Sequence, residues 1–179
     1  MPRPHHRATA RMRWLLLVVL AWPVWAGAQS FEAAAQFTGV HLHKIDEAPL
    51  GIGARIHYTF LPHFAADLEL TKYPRNTAAL FGVRAGKRFR RVGIFLKARA
   101  GVIHFGGGYF EQRLDHRTRQ VADIGGVIEF YPSARTFLRI DEGDTIIYYG
   151  AARLYNRPNP DALGTVHNYQ PGFGIGFRF

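Results

Sequence analysis

The chain has 179 residues, of which 47 % are hydrophobic and 20 % charged, with no cysteine and a formal charge of +10. That length sets one domain as the expectation. The lack of cysteine excludes disulfides, thiolate metal sites, a cysteine nucleophile and a lipoprotein anchor, and no Lys/Arg-rich helix or interleaved aromatic motif points to nucleic acid.

The N-terminus reads as a secretory signal peptide. Arg3, Arg7, Arg11 and Arg13 form a positive region, residues 14–22 are continuously apolar, and Ala26-Gly27-Ala28 supplies a small-x-small cleavage site before Gln29. The run is shorter than the roughly 20 residues a spanning helix needs, and Pro23 interrupts it. Cleavage after Ala28 removes four arginines and no acid, lowering the formal charge from +10 by four to +6. The domains expected are a signal peptide over 1–28 and a β-barrel over 29–179.

After Gln29 no helical stripe of useful length appears. Short alternating segments separated by turn residues recur instead, which points to an all-β sandwich or barrel. Eight strands are expected: 31–43, 51–60, 63–72, 78–88, 93–105, 120–131, 136–144 or a little beyond, and 167–179. Tight connections at Leu61-Pro62, at Phe89-Arg90-Arg91-Val92 and around Pro132-Ser133-Ala134 alternate with longer ones after strands one, three, five and seven. The long links of note are 106–119 and 145–166. An even strand number with short turns at one end and long loops at the other matches a transmembrane barrel.

The strands separate their residues by parity. Ile52, Ala54, Ile56, Tyr58 and Phe60 oppose Arg55 and His57; Phe64, Ala66, Leu68 and Leu70 oppose Asp67 and Glu69. Strand four sets Phe81, Val83 and Ala85 against Arg84, and strand five sets Ile94, Leu96, Ala98, Ala100 and Val102 against Lys97 and Arg99. Ala122, Ile124, Ile128 and Phe130 oppose Asp123 and Glu129; Leu138 and Ile140 oppose Arg139 and Asp141. Strand one breaks the pattern, with Ala33, Ala35 and Phe37 on one parity and Val40 and Leu42 on the other; a bulge near Gly39 would reconcile them.

The charged face therefore carries Arg55, Arg84, Lys97, Arg99 and Arg139 against Asp67, Glu69, Asp123, Glu129 and Asp141. A basic side chain on the lipid face costs roughly 2–4 kcal/mol at the bilayer midplane, and acids somewhat less. Ten such charges outside would exceed a domain's whole stability of about 5–15 kcal/mol. They are expected inside, as a charge-paired network plugging a barrel just wide enough for its side chains to fill. A soluble periplasmic ligand-binding barrel would invert this arrangement and enclose the apolar face.

In the last strand Phe173, Ile175, Phe177 and Phe179 alternate with Gly172, Gly174, Gly176 and Arg178. One face is apolar and becomes aromatic at its end, as a membrane interface favours. The chain stops on an aromatic residue, in a pattern that resembles the terminal strand of bacterial outer-membrane barrels. That resemblance implies that Phe173, Ile175, Phe177 and Phe179 form a signal read by the outer-membrane assembly machinery.

The run Tyr131-Pro132-Ser133-Ala134-Arg135-Thr136-Phe137-Leu138-Arg139-Ile140-Asp141, with Gly143-Asp144-Thr145-Ile146-Ile147 after it, resembles small outer-membrane β-barrel proteins of the OmpA-like and OmpX-like group, as does Phe81-Gly82-Val83-Arg84-Ala85-Gly86-Lys87-Arg88-Phe89. The resemblance covers residues 31–179. It implies an eight-stranded antiparallel closed barrel in the outer membrane, contact with outer-membrane lipids and lipopolysaccharide, and an unknown surface partner for the loops. It carries over no catalytic residue. Members of the group often add a peptidoglycan-binding domain; none follows Phe179, so no anchoring through one is expected.

The enzyme alternative is a barrel that modifies outer-membrane lipid through a Ser–His pair oriented by an acid. The mature chain offers only Ser30, beside the cleavage site, and Ser133, in a short turn, and neither suits that role. His41 and His43 share a face at a strand end, where histidine is tolerated without a metal. Gly106-Gly107-Gly108 is followed by no Lys-Ser/Thr and reads as loop. Asp141-Glu142-Gly143-Asp144 reads as a solvated start of a loop, although carboxylates could hold calcium there. The reading is a non-enzyme that requires no cofactor and no metal.

Overall fold

The computed structural model describes residues 31–44, 47–106, 117–153 and 162–179, the side chains of 152 and 153 excepted. Ala26 and Ala28 lie outside the described residues, as do 107–116 of the 106–119 link. Eight antiparallel strands form a closed barrel in chain order: β1 (Phe31–Gly39), β2 (Leu50–Leu61), β3 (Phe64–Lys72), β4 (Asn76–Arg88), β5 (Val92–Phe105), β6 (Thr118–Phe130), β7 (Thr136–Arg153) and β8 (Ala162–Arg178). β8 closes on β1 from Glu32↔Arg178 to Thr38↔Gly172, leaving no free edge. Strand lengths run from 9 to 18 residues, against the roughly 9–11 that a tilted strand needs to cross a bilayer.

The apolar parity faces outward. Leu96 is 71 % exposed, Phe37 68 % and Ile52 61 %. Exposed apolar side chains recur on every strand, far beyond the patch size soluble monomers tolerate. Phe31, Tyr58, Phe60, Phe64, Phe130 and Phe177 ring the short-turn end, and Phe31 packs against Phe179 with ring centroids 6.0 Å apart. The soluble alternative, with apolar residues enclosed and charges outside, is the reverse of this arrangement.

Four expectations need correction. β1 pairs β2 without interruption from Phe31↔Tyr58 to Gly39↔Leu50, so no bulge separates its two halves. Val40 and Leu42 continue the inward parity of Gln36 and Thr38 and are buried, because this end of the lumen is itself apolar. The β3–β4 connection is only Tyr73-Pro74-Arg75, closed by Tyr73 N–H donating to Asn76 O at 2.8 Å, so the loops do not sort fully by length. Most of the described part of 145–166 is strand: β7 runs on to Arg153 and β8 begins at Ala162. Gly150 and Gly164 face each other there with φ of 62° and 61°, a conformation only glycine adopts cheaply, and the register shifts at that pair.

Glycine also sets how tightly the strands pack. A Cβ on inward-facing Gly82 would lie 2.6 Å from Arg99 Cα and collide with the Ala98 carbonyl, so only a bare backbone fits. At Gly176 the Phe137 ring, fully buried, occupies the place a side chain would take.

Candidate functional site

The lumen is filled in layers, each set by the inward parity of successive strand positions. At the short-turn end Phe95 and Phe137 cover Gly86, Gly93 and Gly176. Arg84 lies over the Phe95 ring, 4.4 Å from its centroid. Its guanidinium bonds Glu129 and reaches Glu32 Oε2 at 2.8 Å. Glu32 also bonds Arg88 and has Arg178 Nε at 3.2 Å. Tyr131 accepts from Arg88 Nε at 3.0 Å and donates to Glu129 at 2.7 Å. Burial, and then the Glu129 carboxylate, push the Tyr131 phenol above its ordinary pKa, so it remains a donor at neutral pH.

The next layer holds the other predicted charges. Arg55 bonds Glu69 and donates from Nη1 to both carboxylate oxygens of Asp141, at 3.0 and 3.1 Å. Arg99 bonds Glu69 and donates from Nε to Asp123 at 2.8 Å. Lys97 Nζ sits 3.3 Å from both Asp123 and Asp141. Arg139 donates to Asp141 from Nε at 2.5 Å. Asp67 is held by charge rather than direct hydrogen bonds, with Arg99 and Arg139 at 3.8 Å and Arg55 at 4.0 Å. All ten predicted lumen charges are between 0 and 5 % exposed and belong to this connected set of contacts.

The ten charges read from the sequence leave out several members of the network, although parity had already set His57 on the polar face. Glu32 and His57 are fully buried in the network, and Arg88 and Arg178 border it. Glu32 shares the parity of Gln36 and Thr38; taking those polar residues as the face markers of β1 would have found it. Arg139 Nη1 is 2.7 Å from His57 Nε2. Arginine only donates, so Nε2 is the acceptor and the ring proton sits on Nδ1, toward Glu32 at 3.6 Å.

Above the ions lies a neutral layer. Gln36 donates to Thr71, Gln170 donates to Thr38 at 3.2 Å, and Thr145 bonds Gln170. The lumen then closes on an apolar cluster that includes Val40, Leu42, Leu80, Ile103, Phe105 and Ile147. Phe105 and Ile147 are fully buried.

The remaining candidates separate. Asp141 to Asp144 lie inside β7 rather than at the start of a loop, so Asp141 faces in and Glu142 out, and the carboxylates cannot converge on one ion. Asp144 instead meets exposed His167 at 2.6 Å. The His41 and His43 rings pack edge to face, centroids 5.6 Å apart. Among the described residues no group of three His, Asp or Glu side chains is arranged to hold a metal. Ser133 Oγ accepts from the backbone N–H of Arg135 and of Thr136, at 3.2 and 3.0 Å, with no histidine among its partners. Phe173, Ile175, Phe177 and Phe179 all point outward.

No protein-family model matches the chain, and no curated protein does. Solved structures do. The outer-membrane protein OprG of Pseudomonas aeruginosa aligns over 85 % of this chain and 96 % of its own, at 8 % identity and a TM-score of 0.56. The N-terminal β-barrel domain of OprF from the same organism aligns over 86 % and 100 %, at 14 % identity and a TM-score of 0.55. Neisserial surface protein A aligns over 86 % and 100 %, at 16 % identity and a TM-score of 0.50.

The fold is that of the small outer-membrane β-barrels. At these identities the likeness speaks for the architecture alone. What the barrel does must be argued from its own two faces.

Proposed function

We propose that the chain is an integral outer-membrane protein, exported by removal of residues 1–28 and spanning the bilayer with all eight strands. The observation that carries this is the inversion of polarity: exposed Phe, Leu and Ile outside, and ten paired charges within. The short turns and both described ends of the barrel face the periplasm. The strand ends joined by the β1–β2, β5–β6 and β7–β8 connections face the exterior, with Tyr73–Arg75 as a tight turn at the same end. The ion network, the amide layer and the apolar cluster stack as three successive seals, so the lumen is a plug rather than a conducting pore. The role is structural or one of surface contact through the three longer connections.

The lack of cysteine makes the test direct. Lys44→Cys, in an outer connection, should react with a membrane-impermeant maleimide on intact cells, whereas Ala134→Cys should react only after the envelope is opened. The protein should fractionate with outer membranes and migrate differently on gels before and after boiling. Recovery in a detergent-free aqueous extract would end this reading, and steady single-channel currents in a planar bilayer would end the plug.

A further inference from the structure

The short-turn mouth of the barrel has a charge imbalance that the lumen network does not absorb. Among the described side chains the acids at this end are Glu32 and Glu129, both fully buried. Both are already shared: Glu32 by Arg84, Arg88 and Arg178, and Glu129 by Arg84, Arg139 and the Tyr131 hydroxyl. Outside them stand Arg90 and Arg91 in the β4–β5 turn, exposed and facing no acid among the described residues. The imbalance coincides with a recess of ≈ 430 Å³ between the β4–β5 and β6–β7 turns. Arg90, Arg91 and Ser133 line its rim; Arg88, Arg178 and Tyr131 form its floor. The floor is rigid, because Arg178 stacks over the Tyr131 ring with 5.2 Å to its centroid and Arg88 is tied to Tyr131 and Glu32. Ser133 already accepts two backbone N–H groups, so its hydroxyl proton is left to donate.

Guanidinium groups grip phosphate or carboxylate oxygens in pairs, and they do so best when their donors are pre-aimed and their own acids are spent. The floor residues face the barrel axis rather than the exterior, so a ligand enters from the aqueous phase and not from the lipid flank. We propose that this mouth is a binding site for a soluble oxyanion of two or more negative charges, phosphate or carboxylate, clamped by Arg90 and Arg91 over the Arg88–Arg178–Tyr131 floor. The placement of this mouth in the periplasm rests on the orientation proposed above; the binding itself does not.

The barrel refolded in a zwitterionic detergent is titrated calorimetrically with inorganic pyrophosphate and, separately, with citrate. The expected result is a one-site isotherm for at least one of them that weakens with added sodium chloride. In the double variant Arg90→Gln/Arg91→Gln it weakens at least about tenfold, the loss of one charge-assisted contact or more. Both arginines lie outside the buried network, so the double variant should keep the heat-modifiable migration of the folded barrel. Absence of heat with both anions, or equal affinity in the double variant, overturns the proposal. So does co-sedimentation with phosphatidylglycerol vesicles without binding of either soluble anion, which would make the mouth a lipid-headgroup contact. Because the titration is indifferent to which end faces the periplasm, it can fail while the maleimide result stands, and the reverse.

Discussion

Replacing Arg84 with Met keeps much of the side-chain volume and removes the cation, leaving two buried carboxylates to find other partners. Arg84 is 1 % exposed and joins Glu32 to Glu129. Removing one member of a buried pair costs about 3–5 kcal/mol, because the partner is left as an uncompensated charge. Here neither carboxylate is abandoned. Glu32 keeps Arg88 and Arg178, while Glu129 keeps Tyr131 at 2.7 Å and Arg139 at 3.7 Å. The lower end, about 3 kcal/mol, is therefore the expectation. For a domain of this size each 1 kcal/mol shifts the midpoint by about 2–4 °C, so the loss should be roughly 6–12 °C. Thermal unfolding in detergent, followed by the heat-dependent gel shift and by circular dichroism, measures it. Glu129→Gln removes one of the two carboxylates that Arg84 bridges, so Arg84→Met/Glu129→Gln should lose less than the sum of the single changes, with a coupling within the usual range of about 0.5–3 kcal/mol. An unchanged midpoint in Arg84→Met, or strict additivity in the double variant, would refute the network as described.

Three further outcomes follow from other layers. Glu142 faces outward among exposed Ile124 and Ile140, with the Tyr169 hydroxyl as a hydrogen-bond partner; Glu142→Leu should raise the unfolding midpoint in lipid bilayers, because a lipid-facing charge costs more than that one bond supplies, and a fall would refute this. Gly82→Ala puts a methyl group into the neighbouring strand's backbone and should destabilise the barrel by about 1–3 kcal/mol, seen as a lower midpoint or failure to refold; full stability would mean the strands are farther apart than 2.6 Å from that Cβ allows. Phe179→Ser alters an outward residue with few partners, so it should slow outer-membrane assembly in cells while leaving the midpoint of the refolded barrel nearly unchanged; equal assembly rates would remove Phe179 from the assembly signal.

The local alternation of residues, with the turn residues between segments, was enough to determine the number of strands and, from β2 to β8, which face the assigned residues take. A strand has a side-chain period of two, and lipid penalises charge, so parity and energy agree wherever one face is uniformly apolar. The ten lumen charges were readable for that reason. What only the tertiary structure decided is what lies inside at each height. Val40 and Leu42 looked like a change of face because the reading assumed a polar interior throughout. In the closed barrel the same inward parity passes from ions, through amides and hydroxyls, into an apolar cluster drawn from several strands. The pairings were equally out of reach. Arg55 meets Asp141 from across the barrel, 86 residues away in the chain, through closure and register alone. β7 runs past residue 144 and β8 begins before residue 167 because the two strands pair with each other as far as Gly150 and Gly164, and neither strand's partner is visible in its own stretch of sequence.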